Sequence, residues 1–165
     1  MERFRAAGTK VAFDPNMRFR LWSPKEARIV FLELARKCDI LIPSLAEAEI
    51  MTGRSEGELM LDALISLGPP QVVLKAGDKG AWYADGAERG FCPCHSVPEI
   101  DPVGAGDAFC AGLLSGLLDG QTLRDAVTRG AALGAFCVST FGDYQGLPDR
   151  RGLQAFMEGK LSPGR

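Results

Sequence analysis

The sequence predicts a layered α/β domain with a mainly parallel sheet flanked by helices, and three observations predict it. Short apolar runs recur at residues 11–14, 39–43 and 71–75, each the length of a strand buried on both faces. Stretches with apolar residues at helical spacing separate them, and strands alternating with helices are the pattern of parallel strands joined by crossovers. From Gly104 onward the chain turns rich in small and apolar residues, as closely packed helices require.

The elements follow in order. Val11-Ala12-Phe13-Asp14 is halted by Pro15 and reads as a first buried strand. Ser23-Pro24-Lys25-Glu26 opens a helix, with a serine cap, proline in the first turn and glutamate three residues after the cap. Ile29, Leu32 and Ala35 continue it. Asp39-Ile40-Leu41-Ile42-Pro43 is a second buried strand; Ser44-Leu45-Ala46-Glu47 opens another helix, closed near Gly53. Leu59 to Leu67 is helical and closed by Gly68. Gln71 to Lys75 is the third strand. Gly80 to Ala84 and Arg89 to Cys92 form a hairpin about Asp85-Gly86. Two helices, Gly104–Leu118 and Leu123–Val138, and a last one over Arg150–Glu158 complete the chain. No internal repeat, low-complexity segment or linker interrupts it, so residues 1–165 read as a single domain.

With 165 residues, 46% hydrophobic and 24% charged, the chain can bury a core and does not have the composition of a disordered segment. Nineteen basic against 21 acidic side chains leave a net charge of −2, which gives no electrostatic case for nucleic acid or an anionic membrane. No apolar run reaches the roughly 18 residues of a membrane span, and Met1-Glu2-Arg3-Phe4-Arg5 lacks the apolar stretch of a signal peptide. A cytoplasmic location is the expectation. Five cysteines, an odd and scattered set, do not make a disulfide framework. Cys92-Pro93-Cys94-His95 suggests a metal, but zinc takes about four ligands and His95 is the only histidine, so small semi-buried thiols are expected there.

Asp101-Pro102-Val103-Gly104-Ala105-Gly106-Asp107-Ala108-Phe109 carries the strongest chemical signal. Two glycines flank an alanine just before a long helix, a turn that leaves backbone N–H groups aimed outward at the positive end of the helix dipole. Such a turn suits phosphate. Asp107 would repel an anion, so its presence makes sense if it accepts a proton from an attacking hydroxyl. A helix start with glycines for packing accounts for the same residues. A dinucleotide-binding oxidoreductase does not, because its Gly-x-Gly-x-x-Gly belongs after the first strand and this turn comes late.

Asp101 to Gly112 resembles the second signature of the ribokinase-like (PfkB) sugar kinases, D-T-x-G-A-G-D-x-F-x-x-G. It matches at Asp101, Gly104, Ala105, Gly106, Asp107, Phe109 and Gly112 and departs at Pro102, where threonine is common. The resemblance implies Asp107 as the base that deprotonates the sugar hydroxyl and Gly104, Ala105 and Gly106 as the anion hole for the transferring phosphate. It extends in order over Val11 to Phe156. Lys75-Ala76-Gly77-Asp78-Lys79-Gly80 is similar to the family's Lys-x-Gly-x-x-Gly loop bordering the nucleotide. Ser44-x-x-Glu47 falls where the family has Asn-x-x-Glu, which organises Mg2+ through water, although it is also an ordinary capping box. Ala131 to Gly142 resembles the helix and loop lining the adenine pocket. Backbone carbonyls near Asp101, Val103 and Gly142 hold a monovalent cation, K+ among them, in some members.

Asp14-Pro15-Asn16-Met17-Arg18, with Leu21-Trp22, resembles the Asp-x-Asn-x-Arg…Leu-Trp stretch of 2-keto-3-deoxygluconate kinases and related fructokinases. Gly142-Asp143-Tyr144-Gln145-Gly146-Leu147-Pro148 has the same flavour. Arg18 would pair a substrate carboxylate in a forked geometry; a surface arginine near Glu26 is the plainer alternative. The resemblance thus implies ATP-dependent phosphorylation of a sugar or sugar-acid hydroxyl with Mg2+, 2-keto-3-deoxygluconate favoured. The alternatives are a fructokinase- or ribokinase-like enzyme for a neutral sugar, and a nucleotide-binding fragment without activity. Such kinases are longer than this chain, so it is expected to be one partial domain, the nucleotide-binding half, lacking the N-terminal half with its sugar motif and lid. Partners would be the sugar substrate and either a second copy or that missing half.

Overall fold

The computed structural model describes residues 1–163. Five strands lie side by side in sequence order: β1 (Ala12–Phe13), β2 (Ile40–Leu41), β3 (Gln71–Lys75), β4 (Gly80–Asp85) and β5 (Glu88–Pro93). β1 runs parallel to β2, with Ala12 opposite Ile40 and Phe13 opposite Leu41. β2 runs parallel to β3, with Ile40 opposite Gln71 and Leu41 opposite Val72. Parallel neighbours need a crossover. One helix supplies the first, and two supply the second: α2 (Pro24–Ala35), then α3 (Leu45–Thr52) and α4 (Gly57–Ile65). The connection from β3 to β4 is a single 3-10 turn, Gly77–Lys79, too short for a crossover, so β4 reverses direction. A two-residue turn reverses the chain again into β5. The sheet is mixed, and helices flank it as expected.

Local chemistry explains where the helices begin. Ser23 and Ser44 each accept a hydrogen bond from the amide three residues on, while Glu26 and Glu47 reach back to their amides. Gly53, in the left-handed region at φ 69°, closes α3. One helix was not anticipated: α1, Glu2–Ala6, has no buried residue and therefore no apolar periodicity to betray it. Arg5 pairs with Asp39, whose carboxylate also accepts from the Val11 amide at 2.8 Å.

Two compact units make up the chain, one of Met1–Gly77 with Trp82–Phe91 and the other of Asp78–Ala81 with the residues from Cys92 on. In the first, Phe31, Leu41, Met51, Met60, Leu64, Val72 and Leu74 form the core, and Trp22 meets Phe31 edge-on at 5.4 Å.

The second unit holds α5 (Ala105–Leu118), α6 (Leu123–Val138) and α7 (Arg150–Met157). α5 and α6 approach through glycine: a Cβ on Gly112 would lie 2.8 Å from the Gly130 Cα and 2.9 Å from the Arg129 carbonyl. Phe136 and Phe156 pack edge to face at 5.3 Å between α6 and α7, and the His95 ring meets Phe156 at a tilt of 49°, its centroid 4.8 Å away. The Cys92–His95 stretch is thus spent on packing. All five cysteines are free thiols. Among the described residues, no helix is long and apolar enough to cross a membrane.

Candidate active site

The candidate residues fall into two groups, one in each unit. In the first unit they gather at the C-terminal ends of the parallel strands, where α/β folds bind ligands. Lys75 ends β3 and its Nζ meets the Asp14 carboxylate at 2.5 Å, both side chains being mostly buried. The other Asp14 oxygen accepts from the Asn16 amide at 3.2 Å. Glu47, only 6% exposed, accepts from the Met17 amide at 2.7 Å, the Ser44 amide at 2.7 Å and the Ser44 hydroxyl at 2.8 Å. Three protein donors therefore occupy its two oxygens. Arg18 follows directly and its side chain is exposed. Gly77 is exposed in the turn after β3.

In the second unit, α5 starts without a side-chain cap. Gly104 occupies the N-cap at φ 80°. Any side chain there would be strained and would collide, since a Cβ would sit 2.7 Å from the Asp143 Cα. The Gly104 carbonyl accepts from Ala108 at 2.8 Å, and the Ala105 amide leans on the Pro102 carbonyl at 3.3 Å. The Gly106 and Asp107 amides lie in the first turn, where a helix offers no internal acceptor. Both residues are exposed, and no salt bridge engages the Asp107 carboxylate among the described residues.

The turn before α5 is braced from one side. Asp101 accepts hydrogen bonds from Val103 at 3.0 Å and Gly142 at 3.1 Å, and these two amides hold its pKa below the usual aspartate value. The Cys137 thiol lies 3.4 Å from both the Val103 and the Asp143 carbonyl oxygens. Burial raises its pKa, as do the nearby charges of Asp143, Asp101 and Asp107, in that order, so the thiol keeps the proton it donates. The Val103 carbonyl, one of the candidate cation ligands, thus faces a thiol.

Gly80 is buried: a Cβ would lie 2.8 Å from the Pro93 Cα. Ala131 is 3% exposed within α6. Among the described residues no group of three His, Cys, Asp or Glu side chains could hold a metal. Sequence reasoning assigned no role to Asp14, Met17, Cys137 or Asp143. Asp14 was visible within its motif, but its partner lies 61 residues away, and only the strand register brings the two together.

The chain is 41% identical over 160 residues to the 2-dehydro-3-deoxygluconokinase of Bacillus subtilis (strain 168), covering 95% of this chain and 49% of that protein. It is 34% identical over 169 residues to Fructokinase-1 of Oryza sativa subsp. japonica, covering 96% and 52%. The crystal structure of a fructokinase from Vibrio cholerae O395, bound to fructose, ADP and calcium ion, superposes with a TM-score of 0.87 at 32% identity, over 94% of this chain and 53% of that one. That of a PfkB protein from Polaromonas sp. JS666 gives 0.78 at 38% identity, over 93% and 48%. The chain spans about half the length of the curated relatives it matches. The fold shared with these structures is the ribokinase-like one. The model of the pfkB family carbohydrate kinases matches residues 1–150, and the chain belongs to that family.

Proposed function

We propose that this chain carries the phosphate-handling part of an ATP-dependent kinase that phosphorylates a hydroxyl of a sugar or sugar acid, with 2-dehydro-3-deoxygluconate as the favoured acceptor. One observation carries the reading: the uncapped start of α5, with the Gly106 and Asp107 amides in its first turn and the exposed Asp107 carboxylate beside them. Backbone N–H groups at a helix start favour an anion. They act best on charge that develops during reaction, because they need no reorganisation. In this reading Asp107 takes the proton of the acceptor hydroxyl. The hydroxyl oxygen bonds to the γ-phosphorus, the bond from that phosphorus to the β–γ bridging oxygen breaks, and ADP leaves.

Uncapped amides and a turn bare of side chains fit a nucleotide's phosphates. Glu47, with one protein donor on one oxygen and two on the other, fits the water-mediated role toward magnesium that the resemblance implies better than direct ligation. Magnesium in this reading arrives as the nucleotide's own counter-ion, and Glu47 also serves the loop it holds. ATP dependence goes with action in the cytoplasm.

Likeness to the Bacillus kinase and the exposed Arg18 fork support a sugar acid. Likeness to fructokinases supports a neutral sugar instead. Two measurements decide. Titration of the labelled chain with ADP and magnesium, followed by NMR, is expected to shift the Gly106 and Asp107 amides; unmoved amides would remove the phosphate assignment. ADP release is then followed with the chain supplemented by the half of the Bacillus relative it does not cover. Turnover with 2-dehydro-3-deoxygluconate above fructose is expected. Nucleotide binding without turnover would favour a binding fragment.

A further inference from the structure

We propose that Lys75 and Asp14 are positioning residues for acceptor recognition, a two-charge latch that fixes the loop presenting Arg18. The inference rests on the kinase reading above, and it moves Lys75 from the nucleotide to the acceptor.

The loop after β1 is pinned at three successive points. Asp14 is held from outside by Lys75 across the tip of β2, where the Lys75 amide donates to the Pro43 carbonyl at 2.8 Å and β3 continues as a bridge to Ser44. Its second oxygen closes a turn onto the Asn16 amide, and Asn16 sits at φ 47°, a left-handed conformation that asparagine tolerates better than most side chains. The next amide, Met17, is fixed by the buried Glu47 carboxylate, and the Met17 side chain enters the core of the first unit. Arg18 then emerges into solvent. The Asp14 carboxylate thus has one oxygen on its own loop and one on Lys75. Removing either partner deletes a mostly buried charge–charge contact that ties the loop to the end of β3. A turn that depends on Asn16 in a left-handed conformation is the part expected to relax. A planar guanidinium recognises a carboxylate only when its backbone is held.

Lys75→Met and Asp14→Asn test this, with Lys75→Arg as the charge-conserving control. Amide exchange is measured on the labelled chain. KM for 2-dehydro-3-deoxygluconate and for ATP is measured on the chain supplemented as above. The expected result is faster exchange at Met17 and an acceptor KM raised about tenfold, a middling value for coupled neighbours. KM for ATP should hold, and Lys75→Arg should recover much of the loss. A raised KM for ATP with acceptor KM and Met17 exchange unchanged would overturn the proposal and return Lys75 to the nucleotide. If Lys75→Met does not fold, Asp14→Asn, the same shape without the charge, carries the test. If the wild-type mixture shows no turnover, the kinase reading fails. Met17 exchange still decides the latch, which unchanged exchange would refute.

Discussion

The Gly142 amide donates to the Asp101 carboxylate at 3.1 Å across 41 residues of sequence, tying the loop after α6 to the turn that opens α5. The same carboxylate holds the Val103 amide, so one side chain sets the backbone just before the Gly104 turn. Asp101→Ala is expected to lower stability and to weaken ADP binding at Gly106 and Asp107. The pH dependence has a definite sign. Both amides favour the charged form, so the folded pKa lies below the unfolded one. The stabilisation is fully present above the ordinary aspartate value of about 4 and disappears as pH falls through the lower folded value. Urea midpoints of wild type and variant should converge on acidification, and a constant gap would contradict this account.

Asp119 at the end of α5 is the second acidic staple. It receives Arg150 of α7 at 2.5 Å and Arg129 of α6 at 2.6 Å, which in that order bring its pKa down to about 2. Its contribution is likewise present above the usual aspartate pKa and is lost between there and about 2. Asp119 and Arg150 face solvent, so screening acts on that pair directly, whereas Arg129 is mostly covered. Thermal melts of Asp119→Asn are expected to show a deficit at neutral pH and low salt that shrinks in molar salt. A deficit indifferent to salt would assign Asp119 a packing role instead.

Gly112→Ala tests the closeness of α5 and α6. The added methyl would lie 2.8 Å from the Gly130 Cα, backbone that cannot yield without moving a helix. Overpacking of this kind costs about 1–3 kcal/mol, readable from chemical denaturation. A neutral or stabilising result would mean the helices separate at little cost.

Local chemistry was legible in the sequence, and long-range register was not. The capping boxes at Ser23–Glu26 and Ser44–Glu47 lie within four residues, so their pattern alone predicted where α2 and α3 begin. Gln71–Lys75 and Leu123–Val138 were read with the bounds observed, the first because polar residues bracket its apolar run and the second because its apolar periodicity is long. The Lys75–Asp14 pair was out of reach: it depends on two parallel registers, through β1–β2 and β2–β3, that no local pattern encodes. The hold of Glu47 on the Met17 amide was hidden for the same reason, since that amide comes from another element. The division into two units was equally invisible, because it passes within β4 and β5, between Ala81 and Trp82 and between Phe91 and Cys92.

Asp107→Asn separates catalysis from binding. In the supplemented chain it should lower kcat by about 100-fold or more, the scale of a lost general base. Affinity for ADP should hold or rise, since a negative charge beside the phosphates is gone. The exposed first-turn position of Asp107 on α5 motivates both halves. Near wild-type turnover would take Asp107 out of the base role, whereas lost ADP binding would make it structural.

Arg18→Lys addresses the acceptor. Arginine offers a planar fork that matches both oxygens of a carboxylate, and lysine only a point charge on a flexible stem. The loop latch should present either side chain from the same backbone, because Asp14, Asn16 and Met17 are held by groups that the substitution leaves in place. The charge is kept, so a general attraction for anions survives and only directional pairing is lost. For 2-dehydro-3-deoxygluconate the expected result is a several-fold to about 100-fold rise in KM, the range of one charge-assisted hydrogen bond, with kcat little changed. Fructose has no carboxylate, and its KM should stay put. KM measured for both acceptors on the same supplemented preparation makes the comparison internal, so any common effect of the substitution on folding cancels in the ratio. Equal losses for the two acceptors would remove Arg18 from carboxylate recognition and shift the favoured acceptor to a neutral sugar.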